Sequence, residues 1–301
     1  MKRSARCGKR SPSASRSSKR RRREAAWALA FLAPSLAGLA VFVLAPFVET
    51  VRRSFTNALG TRWMGLANYR SVLSNAAFRL AAANTARFLA CCLPLLLGLS
   101  LLLALLVRAR RGRGGVFQTT FLLPMAVPVS AIVLLWRVLF DANGLANGLL
   151  VSLGAQPVDF LGTDAAFWVL VATYLWKNAG YDMILWLAGL DAISRDLYDA
   201  AAADGAGTWQ QFRYITLPGL APTAGVVGLL SLINTFKVFR EAYLVAGRYP
   251  HESMYLLQQL FNNWFLSLDM GRLTAAAVLL VLALLAVLLP ARRLWRLEER
   301  T

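Results

Sequence analysis

Two groups of residues in this chain carry polar chemistry at a spacing that concentrates it. Tyr174, Lys177, Asn178 and Tyr181 lie three or four apart and so share one face of a helix. Asn234, Phe236, Lys237 and Arg240 form a second group in a later apolar stretch. Both sets offer hydrogen bonding and aromatic stacking, which is the chemistry of reversible recognition. Covalent chemistry has little to work with. There is one histidine, His251, and the three cysteines, Cys7, Cys91 and Cys92, have neither disulfide-framework nor metal-ligand spacing. No metal and no cofactor is expected. The phosphate-cradling pattern G-x-x-x-x-G-K-[ST] is absent, and the sole Gly-Lys pair, Gly8-Lys9, is followed by Arg10. This chain brings no ATP chemistry of its own.

A third group is built for contact. Residues 198–222 read YDAAAADGAGTWQQFRYITLPGLAP. Ser194 is placed to cap a helix, and Asp196 and Asp199 suit the positive end of its dipole. Ala200 to Ala203 form helix readily and carry almost no side chain, so another protein surface approaches closely. Asp204 and the run Gly205-Ala206-Gly207 end that helix. Thr208 and Gln211 have capping-box spacing for a second one. Ile215 follows, and Leu217-Pro218 breaks the chain before the next apolar run. The expected unit is a helix, a glycine turn and a short second helix, lying between two apolar segments and so at a membrane face. The plainer reading is an ordinary alanine-rich loop.

The elements that position these groups are membrane spans. Of 301 residues, 57% are hydrophobic and the mean hydropathy is +0.51, which marks a polytopic membrane protein. The net charge of +18 is concentrated in residues 1–23 and beside apolar segments, which argues against nucleic acid as a partner. Residues 1–24 read as a basic, disordered cytoplasmic tail that touches anionic membrane lipid or acts only as a topology signal. Residues 25–301 read as one membrane domain without internal repeats. The expected fold is all-α, with six spans of roughly 20 residues at 25–47, 85–107, 117–140, 165–190, 219–245 and 273–290. Span one is too long for a signal-peptide core of about 7–15 residues.

Arg108, Arg110, Arg111 and Arg113 follow span two, and Arg292, Arg293, Arg296 and Arg300 follow span six, whereas residues 141–164 hold no Lys or Arg. Both termini, and with them residues 198–222, are therefore expected in the cytoplasm. Arg52, Arg53, Arg62, Arg70 and Arg79 in the first external loop depart from that rule, and lipid head groups or an external partner account for them equally. Pro124 and Pro128 are expected to kink span three. Trp63, Trp264 and Trp295 are expected as interfacial anchors.

Asp199-Ala200-Ala201, Gly205, Ile215, Leu217 and Pro218, in that order, resemble the EAA loop of ABC importer permeases. The likeness extends from the first span to the C-terminus. It takes in Gly65, Asn68, Tyr69, Phe78, Asn84 and Thr85, then Leu123-Pro124 to Pro128 with Trp136. It continues through Gly144-Leu145-Ala146-Asn147, Leu187-Ala188-Gly189-Leu190 with Ile193, and Phe236-Lys237-Val238-Phe239 with Leu244, Gly247 and Pro250. Asp199 stands where that family has Glu, keeping the charge on a shorter arm. The resemblance is to the carbohydrate branch, and to the first permease type of a pair.

That resemblance implies an importer in the bacterial plasma membrane: this chain with a second permease subunit, an ATP-binding cassette ATPase dimer beneath, and an extracytoplasmic solute-binding protein. The helix near 197–203 would sit in a groove of the ATPase as a coupling helix between spans four and five, moving both spans when the ATPase closes. The two polar groups in those spans would line the path, where hydrogen-bonding groups beside aromatic faces suit a polyhydroxylated ligand. Singly, the same residues also have structural explanations: Lys237 and Glu241 pair along a helix, Arg240 snorkels, Lys177 meets a partner carboxylate, and Asp182 bonds within the bundle. A polyamine or glycerol-phosphate-like solute in the same machinery is the first alternative. A membrane anchor or an integral membrane enzyme is a remote one.

Overall fold

The computed structural model describes residues 13–110, 114–238, 240, 242–243, 247 and 249–298. Over them the chain is helical, with one isolated antiparallel bridge, Thr56–Trp63. The first span comprises α1 (Ser13–Leu39), a π-helical turn (Ala40–Leu44) and α2 (Ala45–Ser54). After α3 (Ala67–Ser74) comes the long α4 (Ala76–Ala109), then α5 (Gly114–Ala126), α6 (Val129–Phe140) and α7 (Leu145–Ser152). The central α8 (Ala165–Asp191) leads to α9 (Arg195–Ala203), α10 (Thr208–Gln211) and α11 (Leu217–Gly219), and then to α12 (Ala221–Thr235). A 3₁₀ turn at Phe236–Val238 and another at Glu252–Met254 precede α13 (Leu257–Leu266) and α14 (Met270–Glu298).

Several boundaries differ from the sequence reading. Helix α1 begins at Ser13, inside the segment expected as a disordered tail, whose residues 1–12 lie outside the described ones. Arg and Lys are good helix formers, and extending an existing helix avoids the cost of a nucleus. The third span divides at Val127-Pro128, whereas Pro124 is accommodated inside α5. Pro128 disfavours helical backbone at the residue before it. Helix α12 stops at Thr235, short of the expected end at 245.

By length and composition, four described helical stretches suffice to cross a bilayer: Trp27–Ser54, Ala76–Ala109, Val129–Ser152 and Met270–Pro290. The pair Thr208–Gly219 and Ala221–Thr235, bent by 62°, makes a fifth if it is one span. Helix α8 is long enough at 27 residues, but Lys177, Asn178 and Asp182 interrupt its apolar run. It is the enclosed helix, packed along α4, α5 and α12.

Its two ends anchor separate cores. Toward its start, Phe167, Leu170 and Tyr174 pack with Phe88 and Leu96 of α4. Toward its end, Met183, Trp186 and Leu190 pack with Val107, Leu220 and Val227, and Trp186 Nε1 donates to Ser100 Oγ at 3.0 Å. The approach is close enough to demand glycine twice. A methyl group on Gly180 would collide with the backbone carbonyl of Phe121 in α5, and one on Gly189 with the Thr223 side chain in α12. Small residues at helix contacts let backbones approach in this way.

A third core joins α14 to α3, α4 and α13 through Val72, Ala81, Leu260, Ala275 and Ala276. Trp264 belongs to it, 8% exposed and stacked on Phe78, and so is not an interfacial anchor. Trp63 is exposed and stacks on Phe55 at 5.3 Å; the Trp295 side chain lies outside the described residues.

Polar residues quoted for the family likeness pin loops. Asn68 Nδ2 donates to the carbonyls of Ser54 and Thr56 at 2.9 and 2.7 Å. Asn84 Nδ2 donates to those of Glu252 and Tyr255 at 2.6 and 3.1 Å, and Thr85 Oγ1 accepts from the Leu257 N–H at 3.0 Å. Asn147 Nδ2 donates to the carbonyls of Ala142 and Val158 and its Oδ1 accepts from the Val158 N–H. In each case one polar side chain satisfies backbone groups at a loop or helix end that lack a ladder or helix partner.

Candidate functional site

Helices α8 and α12 face each other across a buried polar seam. Ser231 Oγ lies 2.5 Å from Asp182 Oδ2 and 2.7 Å from the Val227 carbonyl, so its single proton serves one acceptor at a time. Tyr174 Oη lies 3.2 Å from Thr235 Oγ1 and 3.4 Å from the Ser231 carbonyl. All four side chains are buried. Asp182 therefore bonds within the bundle, one of the explanations weighed for it.

Beside this seam a pocket of about 180 Å³ opens between α5, α8 and α12. Tyr174, Lys177, Asn178 and Asn234 give it polar walls, and Met125 and Val238 close its apolar side. Asn178 Nδ2 donates to the Tyr174 carbonyl at 2.9 Å, which fixes the amide plane. The pocket is smaller than the roughly 300–1,000 Å³ of a complete small-molecule site. Four of the eight residues expected on a ligand path meet here. Tyr181 and Phe236 are half-buried and do not line the pocket, Arg240 is exposed, and the side chain of Lys237 lies outside the described residues, as does Glu241. Thr173 and Met125 were not legible as lining residues. Thr173 looks like any helix residue, and Met125 arrives from a different span.

The loop joining α8 to α12 is the other candidate. Ser194 Oγ accepts from the Asp196 N–H at 3.3 Å and starts α9, none of whose residues is buried. Its C-terminus is a complete Schellman closure. The Gly205 N–H donates to the Ala202 carbonyl at 3.1 Å and the Ala206 N–H to the Ala201 carbonyl at 2.8 Å, with Gly205 at φ +81°. The next helix starts one residue earlier than its sequence implies. Gly207 is the N-cap, and its N–H donates to Gln210 Oε1 at 2.8 Å, so Thr208 and Gln211 are not the capping pair. A glycine cap leaves Thr208 free to become the first helical residue. Leu217-Pro218 does not break the chain either. A π-helical turn, Phe212–Thr216, leads into α11, and the bend comes at Leu220. Proline is tolerated there because the first turn of a helix needs no N–H from it.

The loop is anchored on one side and open on the other. Tyr198 Oη lies 2.9 Å from Thr216 Oγ1, and Ile215 packs on the core beneath. Asp199, Ala200, Asp204, Gly205, Leu217 and Pro218 are exposed, while Ala201, Ala206 and Ile215 are half-buried. Leu197, Trp209 and Tyr214 are also exposed, at 54%, 70% and 74%, and add apolar surface that the alanine pattern alone did not point to. Among the described residues no cluster of metal-ligating side chains occurs.

Residues 97–297, which include the pocket and the loop, match the family model described as "Binding-protein-dependent transport system inner membrane component". The trehalose/maltose transport system permease protein MalF of Thermococcus litoralis is 34% identical over 290 residues, covering 93% of this chain and 98% of the relative. The probable starch degradation products transport system permease protein AmyD of Thermoanaerobacterium thermosulfurigenes is 29% identical, covering 87% and 92%. A chain in the crystal structure of a bacterial ABC transporter involved in the import of the acidic polysaccharide alginate superposes with a TM-score of 0.78 at 25% identity, covering 95% of this chain and 99% of that one. The family model spans more than half of the chain and a relative above 30% identity aligns over nearly all of it, so this chain belongs to the binding-protein-dependent transport system inner membrane component family.

Proposed function

We propose that this chain is one of two permease subunits in an ATP-driven importer, passing a sugar or oligosaccharide received from an extracytoplasmic binding protein. Six spans cross the membrane, with residues 114–140 as one bent span and α8 as the fourth, and both termini are cytoplasmic. Helix α9 docks on the ATPase subunit. The second permease completes the ligand site begun by Tyr174, Lys177, Asn178 and Asn234.

One observation carries the reading: the helices that line the pocket are the helices that hold the loop. Helix α8 enters it at Asp191 and α12 leaves it at Ala221. A push on α9 therefore reaches both pocket walls through continuous helix, and Gly189 packed on Thr223 links the two helices near the loop. The sugar assignment draws on the named activities of the relatives and on the amide, hydroxyl and aromatic lining, which hydrogen-bonds hydroxyl groups without needing ligand charge.

The test is mild-detergent capture of the tagged chain from its native membrane, with mass spectrometry of what accompanies it. An ATPase, a second permease and a solute-binding protein are the expected companions. Recovery of the chain alone, where a control ABC complex survives, would overturn the assignment. With the complex reconstituted, Asn178→Ala and Asn234→Ala are each expected to lower transport about fivefold at unchanged assembly, since one hydrogen bond is worth roughly 1 kcal/mol. Normal transport by both would remove this pocket from the path.

A further inference from the structure

Two cavities adjoin at the end of the bundle that carries α9. One, of about 210 Å³, is apolar and runs between α4 and α5 over Leu103, Leu106, Phe117 and Phe121. The other, of about 610 Å³, is polar and reaches from Gln118 to the loop helix. They share Val107 and Arg110, so a greasy crevice opens directly into a charged one with a guanidinium at the junction. Leu106, on the crevice wall, is 56% exposed.

The charges of the polar cavity are Arg108, Arg110 and Arg195 against Asp191 and Asp199, one positive charge in excess. Among the described residues none of these five is in an ion pair. Arg108 lies over the Tyr198 ring, 5.5 Å from its centre. Arg110 thus ends an apolar helix, is in no ion pair among the described residues, and lines both an apolar crevice and a polar cavity. A ligand suited to that junction has an anionic group and a hydrocarbon chain leaving it in one direction.

We propose that this junction binds an anionic phospholipid of the cytoplasmic leaflet, with its phosphate at Arg110 and Arg108 and an acyl chain along Leu103, Leu106, Phe117 and Phe121. Basic pockets between spans on that side of a membrane suit such head groups. Free phosphate meets the same arginines but leaves the crevice empty. Asp191 and Asp199, on α8 and α9, line the same cavity and disfavour a second phosphate there. A lipid seated here abuts Tyr198 and Asp199 of the loop helix, so it would steady the surface proposed to dock on the ATPase. The choice of leaflet rests on the orientation proposed above.

The test counts lipid retained by the assembled importer, taken from mixed phosphatidylglycerol–phosphatidylcholine nanodiscs into detergent, by native mass spectrometry. The wild type is expected to keep phosphatidylglycerol over phosphatidylcholine by about fivefold, the contribution of the cavity's one excess positive charge near a charged head group. Arg110→Gln removes the charge and Leu106→Trp fills the crevice; each is expected to abolish the preference while the complex stays assembled. Equal retention of both lipids, an unchanged preference in Arg110→Gln, or an assembled complex with no bound lipid because the partner permease closes the crevice would each overturn the proposal. Displacement of phosphatidylglycerol by inorganic phosphate alone would overturn the lipid assignment. Failure of the importer reading shows separately, as absence of the complex at capture.

Discussion

Replacing Gly205 by arginine or aspartate is expected to abolish transport while the chain still inserts. Gly205 sits at φ +81°, and no atom lies within 4 Å of where a Cβ would be, so nothing in the fold clashes with a new side chain. The cost is in the backbone: a left-handed conformation costs a residue with a side chain about 1–2 kcal/mol. Helix α9 has only nine residues, none of them buried, and an isolated helix of that length is marginal in water. Its stability comes from the Ser194 cap, the Tyr198–Thr216 contact and the closure at Gly205. Removing the last frays the surface proposed to meet the ATPase. Aspartate adopts positive φ more readily than arginine, but sets a second carboxylate beside Asp204 at the negative end of the helix dipole.

Asparagine tolerates the left-handed region without adding charge, so Gly205→Asn is expected to keep most of the activity. The measurement is substrate uptake in proteoliposomes, with ATPase retention scored on the same preparation. Wild-type uptake by Gly205→Arg would remove the coupling role from this turn. Loss of uptake by Gly205→Asn as severe as that by Gly205→Arg would show that surface contact there matters more than backbone conformation.

The second large effect is expected at Gly180. Alanine raises helix propensity by about 1 kcal/mol over glycine at an unconstrained site. At Gly98, in the middle of α4, a Cβ meets nothing within 4 Å, so Gly98→Ala is expected to be neutral or slightly stabilising. At Gly180 the same methyl group meets the Phe121 backbone, which has no rotamer with which to move aside. Helix α5 must separate from α8, and overpacking of this kind costs typically 1–3 kcal/mol, more when backbone has to shift. Gly180→Ala is expected to lower the apparent melting temperature and the yield of assembled complex despite its better propensity, and Gly180→Val to leave little folded protein. Met125 of α5 lines the pocket, so the surviving Gly180→Ala protein is also expected to transport more slowly. Thermal unfolding of the two alanine variants side by side decides it. Equal melting temperatures would mean that α5 and α8 are not held in this contact.

Features written in local chemistry were legible from the residues alone. The apolar runs had to be helices because a chain in hydrocarbon must satisfy its own backbone. The Ser194 cap and the glycine at 205 were readable because capping depends on residues a few positions apart. The order Asp199-Ala200-Ala201, Gly205, Ile215, Leu217, Pro218 was enough to point to the family, and the face shared by Tyr174, Lys177 and Asn178 follows from helical spacing alone. Local reading failed where two local rules competed, as at Gly207, where glycine outcompeted Thr208 for the cap, and at Pro218, where proline began a turn and did not end one.

What lies across from each helix is visible only in the packed fold. That Asn234 joins Tyr174, Lys177 and Asn178 while Tyr181 stays out of the pocket depends on how α8 and α12 are rotated against each other. That rotation is fixed by Ser231 against Asp182 and by Gly189 packed on Thr223, while Gly180 packed on Phe121 sets α8 against α5. Trp264 had the composition of an interfacial anchor and is in a core because α14 and α4 pack over it. Arg110 was countable as a topology charge, but its place between an apolar crevice and a charged cavity is visible only once α4, α5 and α9 are brought together. Packing sums many weak contacts between residues far apart in the chain, and no local spacing encodes which of them will meet.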